Sequence, residues 1–151
     1  MRIPIVIAVS GLVVSMAGAA FAAERSAGTD IKGDAICPAT VHVTQEAAST
    51  PAGYLVAKSA DPTVLAGLTI FDGPPKDLAS LVPDNADTGS SVATWTIAQD
   101  RERGLYVSCI YSGTRIQLQR KLPASVTSCR VTYDNNVHVD GYPQIKSMSC
   151  K

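Results

Sequence analysis

From Val92 to Cys150 the chain repeats one pattern, short runs in which apolar and polar residues alternate between turn-forming residues. A period of two marks strands with one buried face. VATWTIA (92–98) sets Ala93, Trp95 and Ile97 on one side, and LYVSCIY (105–111) does the same with Leu105, Val107, Cys109 and Tyr111. TRIQLQRKL (114–122) turns Thr114, Ile116 and Leu118 inward, and TSCRVTY (127–133) groups Cys129, Val131 and Tyr133. DNNVHVDGYP (134–143) reads as a long hairpin end, after which QIKSMSC (144–150) returns. Connections of hairpin length make the sheet antiparallel.

The first half is less regular. Val41 and Val43 alternate with Thr40, His42 and Thr44 as a half-buried strand; YLVAKSA (54–60) and LAGLTIF (65–71) are further strand candidates. PKDLASLV (75–82) carries the one helical signal: Pro75 near its start, Asp77 in the first turn, Leu78, Leu81 and Val82 on one face, and Pro83 as a stop. The expected fold class is α+β, a predominantly antiparallel sheet of about five to seven strands with one short packed helix, braced by disulfides. The expected core is Val41, Val43, Leu68, Ile70, Leu78, Leu81, Trp95, Ile97, Val107, Ile116, Leu118 and Val131.

The N-terminus reads as an address. Arg2 supplies a positive start, Ile3 to Met16 an apolar stretch, and Ala20-Phe21-Ala22 a small-residue cleavage site. The expected organisation is a signal peptide over 1–22, a flexible lead-in over 23–36 and a single β-rich domain over 37–151. Export to the periplasm follows, with no membrane attachment after cleavage.

All four cysteines, Cys37, Cys109, Cys129 and Cys150, fall after that site, so an even count in an oxidising compartment reads as two disulfides. No C-x-x-C occurs, and His42 and His138 stand at no ligand spacing to the cysteines, which disfavours zinc and a catalytic thiol. Four cysteines allow three pairings. If 127–133 and 144–150 form one hairpin, Cys129 faces Cys150, 131 faces 148 and 133 faces 146. In a simple meander Cys109 and Cys129 lie about two strand spacings apart, roughly 10 Å, too far to bridge. Cys129–Cys150 with Cys37–Cys109 is the favoured pairing.

Thirteen basic and thirteen acidic residues leave no net charge, which argues against a nucleic-acid or polybasic membrane partner. No G-x-S-x-G, phosphate-binding loop or dinucleotide fingerprint occurs, and His42 lies in a β pattern. Asp134, Asn136, His138 and Asp140 loosely resemble a calcium loop, but Val139 and Ile145 stand where its glycine and closing acid belong. Asp84 and Asp87 read as loop residues. No enzyme, metal or cofactor is expected.

Several further features carry a resemblance: Cys37-Pro38 ahead of a strand, Phe71-Asp72-Gly73-Pro74, Leu81-Val82-Pro83-Asp84, Trp95, the Cys-x-Tyr-x-x-Thr run at 109–114, Leu122-Pro123, Cys129-Arg130-Val131-Thr132-Tyr133 and a last Cys150. With these the mature chain resembles a family of small exported proteins of Gram-negative bacteria of unknown function. The resemblance implies a periplasmic domain and brings no catalytic residues.

The expectation is therefore a non-catalytic protein-binding module, in its most concrete form an inhibitor or immunity protein against a cell-wall hydrolase or a delivered toxin. Its candidate contact residues are Arg101, Glu102 and Arg103 on a charged connection, with Tyr106 and Ile110 on the face opposite Cys109. The alternative is a small-molecule or glycan site lined by Tyr106, Tyr111 and Tyr133.

Overall fold

The structure, a computed structural model, describes residues 30–58, 61–86, 89–98 and 102–151. The expected signal peptide, Asp87 and Arg101 lie outside the described residues. Among the described residues there are nine strands: β1 (Ile31–Lys32), β2 (Thr40–Val41), β3 (Thr63–Asp72), β4 (Ser80–Leu81), β5 (Val92–Thr96), β6 (Leu105–Tyr111), β7 (Gln117–Lys121), β8 (Ser128–Val139) and β9 (Tyr142–Cys150). One sheet runs β1-β9-β8-β5. The other runs β2-β3-β6-β7, with β4 also on β3. All pairings are antiparallel.

The sheets face each other because each alternating strand has one side to hide. β6 buries Leu105, Val107, Cys109 and Tyr111; β3 adds Leu65 and Ile70, β5 adds Trp95, β8 adds Cys129 and Val131, and β9 adds Met148 and Cys150. These join in one core, with β3 lying across β8 and β9. The fold is thus a β-sandwich rather than α+β.

The expected helix over 75–82 is not there. Pro75–Asp77 make a single 3-10 turn, Leu78 takes a left-handed conformation (φ 57°, ψ 20°), and Ser80–Leu81 become β4 against Phe71 and Ile70. The spacing of Leu78, Leu81 and Val82 imitates a helical face, but Leu81 alone packs on the core; Leu78 is 80% exposed and Val82 is exposed too. Left-handed backbone costs a branched L-residue about 1–2 kcal/mol, and glycine avoids it at some cost in chain entropy. Leu78→Gly is therefore expected to raise stability by about 0.5 kcal/mol, read from the urea midpoint, whereas a loss above about 1 kcal/mol would mean that Leu78 packs on the fold.

Three other expectations change. YLVAKSA forms no strand over its described residues 54–58, where Tyr54 and Leu55 are exposed. The segment from β7 does not continue a meander: after the buried Leu122 and Val126 the chain crosses to the other sheet, where β8 pairs with β5 and β9. Ile116 and Leu118, expected inside, are exposed beside the open edge of β7, where no described strand follows to cover them. Ile31–Lys32 pair with β9, and Ile36 is buried.

The cysteines pair as Cys37–Cys109 and Cys129–Cys150. Cys129 lies directly opposite Cys150, at a Cα separation of 4.1 Å, and Val131 faces Met148 as the hairpin register requires. A bulge then shifts Tyr133 to Ile145, one residue from the expected partner. The expected long hairpin end is strand almost to its tip, where Asp140 (φ 51°) and Gly141 (φ 83°) form a two-residue turn of the kind Asp-Gly favours. Cys109 and Cys129 are kept apart by belonging to different sheets, not by an intervening strand.

Candidate partner-binding face

The sandwich has two outer faces of different chemistry. On the four-stranded sheet, residues next to the buried Trp95, Cys129, Val131 and Cys150 point outward: Thr94, Thr96, Ser128, Arg130 and Ser149. They line a shallow depression of about 500 Å³ together with Lys32 and Asp84. Small hydroxyl side chains on a solvated sheet carry little apolar area for a partner to cover.

The five-stranded sheet shows aromatic and cationic groups instead. Register places Ser80, Phe71, Tyr106 and Lys121 in one row across four strands. The next outward row is Thr69, Ser108 and Gln119, followed by Gly67, Ile110 and Gln117. Ser108 is almost wholly covered; its hydroxyl donates to Gln117 Oε1 at 2.6 Å and accepts from Gln119 Nε2 at 3.5 Å, so the middle of the face is tied flat by side chains. Ile110 leans over Gly67, where a Cβ would meet its Cδ1 at 4.0 Å.

Arg103 and Leu78 stand at the end of this sheet. The chain re-enters β6 through Gly104, whose carbonyl accepts the Gly73 N–H at 2.8 Å. Arg103 folds back over Gly73 (φ 95°), so close that a Cβ there would lie 2.9 Å from its Nε. Its Nη2 donates to Asp77 Oδ2 at 2.7 Å, while Lys76 reaches Asp77 Oδ1 at 2.9 Å. The Lys121 stem covers Gly104 in the same way, beside the Tyr106 ring. Leu78 projects from the residue after Asp77.

Hydrogen bonds from Lys76 first and Arg103 second hold the Asp77 carboxyl below its usual 3.8. A depressed carboxylate contributes its interaction above the ordinary carboxylate range and loses it as pH falls through the lowered value. The expected result is that Arg103 stays docked at pH 4–5 and is released only in more acid solution, seen as a shift of its side-chain Nε–H resonance. Release already above pH 5 would show that the pair does not hold Arg103.

Of the candidate contact residues, Arg103, Tyr106 and Ile110 share this sheet, Tyr106 and Ile110 about 13 Å apart along β6, and Glu102 is exposed in the adjoining turn. Sequence reasoning missed Phe71, Leu78 and Lys121. The first and last enter through cross-strand register, and the Leu78 signal was absorbed into a helical spacing.

The three tyrosines of the alternative site do not converge. Tyr111 is 1% exposed, and its hydroxyl donates to the Pro38 carbonyl at 3.0 Å. Burial raises its pKa above 10, as it does for Tyr133, which packs on the core. Tyr106 lies on the opposite side of β6 from Tyr111. A cleft of about 530 Å³ does open near Val43, Lys58, Asp61 and Gly113, but it holds none of the three rings.

The acidic residues weighed for metal or acid–base work serve the backbone. Asp134 accepts the Asn136 N–H at 3.0 Å and Asp140 accepts the Gly113 N–H at 3.1 Å. Asp84 accepts both the N–H and the hydroxyl of Thr96 at 2.8 Å. No group of three or more His, Cys, Asp or Glu side chains gathers at metal-binding distance among the described residues. Nor is any described helix long and apolar enough to cross a membrane.

Residues 59–151 match the family model described as type VI secretion system Tli immunity protein. The match runs from just before β3 to the end of the chain, and so takes in the whole Phe71–Tyr106–Lys121 row and Leu78. No curated protein and no solved structure matches the chain.

Proposed function

The chain belongs to the type VI secretion system Tli immunity protein family, and from that premise we propose that it neutralises a delivered toxin by covering it with the outer face of the five-stranded sheet. Membership supports a protein-binding role with a toxin effector as the partner, and the reading takes that role as non-catalytic. Binding in the periplasm, after removal of residues 1–22, is part of the same reading. Its support is the Arg2 start, the apolar stretch and the Ala20-Phe21-Ala22 site.

The observation that carries the choice of face is Leu78. A large apolar side chain 80% exposed on left-handed backbone serves neither the core nor the turn. Strain of this kind is retained where a contact made elsewhere uses it. Leu78 supplies an apolar anchor at the end of the sheet, Phe71 and Tyr106 supply aromatic area beside it, and Arg103, pinned by Asp77, arrives already oriented. Aromatic and arginine anchors of this sort dominate interface energies.

The test is a competition assay in which a sensitive recipient carries this chain against an attacker delivering the toxin by type VI secretion. Wild type is expected to protect. Leu78→Asp and Tyr106→Ala are expected to abolish protection and to weaken the purified complex by roughly thirtyfold or more. Both should keep a melting temperature within a few degrees of wild type, because neither residue is buried in the core. Full protection by both variants would remove this face from the interface. Appearance of the chain in the periplasmic fraction with Ala23 as its first residue checks the address.

A further inference from the structure

Sheet edges decide where a sandwich can accept another strand, because an edge leaves a row of N–H and C=O groups without partners. In this molecule several edges are blunted, although β1 covers only Ser149 and Cys150 of β9. β1, β2 and β4 have two residues each. The edge of β5 is occupied by the segment after Pro83: Asp84 N–H donates to the Thr94 carbonyl at 2.7 Å, Thr94 N–H donates to Asn85 Oδ1 at 3.0 Å, and Thr96 N–H donates to Asp84 Oδ2 at 2.8 Å. Asn85 Nδ2 also donates to the Val92 carbonyl. Side-chain amide and carboxylate thus take the place of a neighbouring strand.

β7 is different. It has five residues, all exposed, and no described strand pairs with its outer side. Its register also shows which groups are free. The Leu122 N–H donates to the Leu105 carbonyl at 2.8 Å, which makes Leu105/Leu122 a hydrogen-bonded pair. Pairs of the two kinds alternate in an antiparallel ladder. Val107/Arg120 and Cys109/Leu118 are then hydrogen-bonded, and the backbone groups of Gln117, Gln119 and Lys121 point away from β6.

The charge of this edge is one-sided. From Thr114 to Leu122 the chain holds Arg115, Arg120 and Lys121 and no acidic residue, although the whole chain has equal numbers of both signs. A second copy pairing edge to edge would bring three cations from each β7 region together, so self-association is disfavoured. An extended segment carrying carboxylates meets no such penalty.

We infer that β7 is a docking edge for an extended acidic segment of the partner, which adds as a further strand to the five-stranded sheet beside the Phe71–Tyr106–Lys121 row. The identity of the partner as a toxin rests on the reading above; the edge and its charge preference do not. Main-chain bonds to Gln117, Gln119 and Lys121 supply register, and Arg115, Arg120 and Lys121 select the sign of the incoming side chains.

The test uses the folded chain and two synthetic peptides, Glu-Val-Glu-Thr-Glu-Val-Glu-Thr and its counterpart with Lys for every Glu, each titrated to about 1 mM, within the affinity range of weak peptide contacts. Amide resonances report the outcome. The acidic peptide is expected to shift Gln117, Gln119 and Lys121 and to slow exchange of their N–H groups, and the basic peptide to leave them unchanged. Gln119→Pro deletes one outward N–H without touching the β6–β7 ladder and is expected to weaken the acidic peptide roughly five- to tenfold relative to Gln119→Ala. The melting temperatures of both variants establish that they fold. If Gln119→Pro is unfolded, Lys121→Glu replaces it and is expected to reduce binding by a similar factor. Equal binding of the two peptides, absence of any shift on β7, or binding indifferent to the substitution overturns the inference. Peptide binding on β7 in a chain that gives no protection from a delivered toxin would instead leave the edge standing and remove the toxin.

Discussion

Replacing Trp95 by alanine is expected to cost about 3–5 kcal/mol, the range for a large aromatic removed from a core. Trp95 is 5% exposed, stands across from Cys129 in the β5–β8 ladder, and belongs to the core shared by both sheets. Two effects add. The ring's volume is lost where the four-stranded sheet meets the other one. The Leu81 carbonyl, which accepts the indole N–H at 3.1 Å, also loses its donor, and β4 with it loses a tie to the opposite sheet. Trp95→Phe keeps most of the volume and should cost about half as much. Urea unfolding of the oxidised protein is the measurement; a Trp95→Ala loss below about 1 kcal/mol would place the ring at the surface.

The second large effect separates the two disulfides. Cys37–Cys109 spans 72 residues and Cys129–Cys150 spans 21. The entropy of closing such loops in the unfolded chain amounts to about 4 kcal/mol for the first and about 3 kcal/mol for the second. Double replacement by alanine should therefore be costlier at 37 and 109. The long bridge also holds the segment that crosses between the sheets: Ile36 and Cys37 are buried beside β6, and Arg120 donates to the Ala35 carbonyl from β7. The short bridge joins strands already paired over most of their length. A larger loss on removing Cys129–Cys150 would show that the hairpin depends on its bridge more than on its ladder.

What the sequence could and could not say follows from the range of the forces involved. Alternation in 105–111 and 127–133 is local, and the structure buries the residues it assigns inward, from Leu105 to Tyr111 and at Cys129 and Val131. The Cys129–Cys150 pairing was equally legible, because one hairpin register fixes it. The switch of the chain from β7 to β8 across the core was not: residues 122–127 look like a hairpin turn, and only the burial of Leu122 and Val126 distinguishes them. The false helix has the same origin. Leu78, Leu81 and Val82 satisfy a period of 3.6, but Pro74 and Pro75 start only one 3-10 turn, and pairing of Ser80–Leu81 with β3 overrides the local preference. Of the candidate face, Arg103, Tyr106 and Ile110 could be read from β6 alone, whereas Phe71 and Lys121 join it through partners tens of residues away in sequence or on the next strand.

The pairing of β1 with β9 sets an order in time. Ile31 finds its partner in Cys150, so the first sheet has no complete form until β9 has been made. The other sheet is assembled wholly from segments between β1 and β9, with β2 and β3 waiting for β6. Contacts of such long separation form slowly, in milliseconds to seconds, because loop closure precedes the interactions that reward it. The pairing also means that a chain lacking β9 loses the partner of β1, the Cys150 thiol and one side of β8 together.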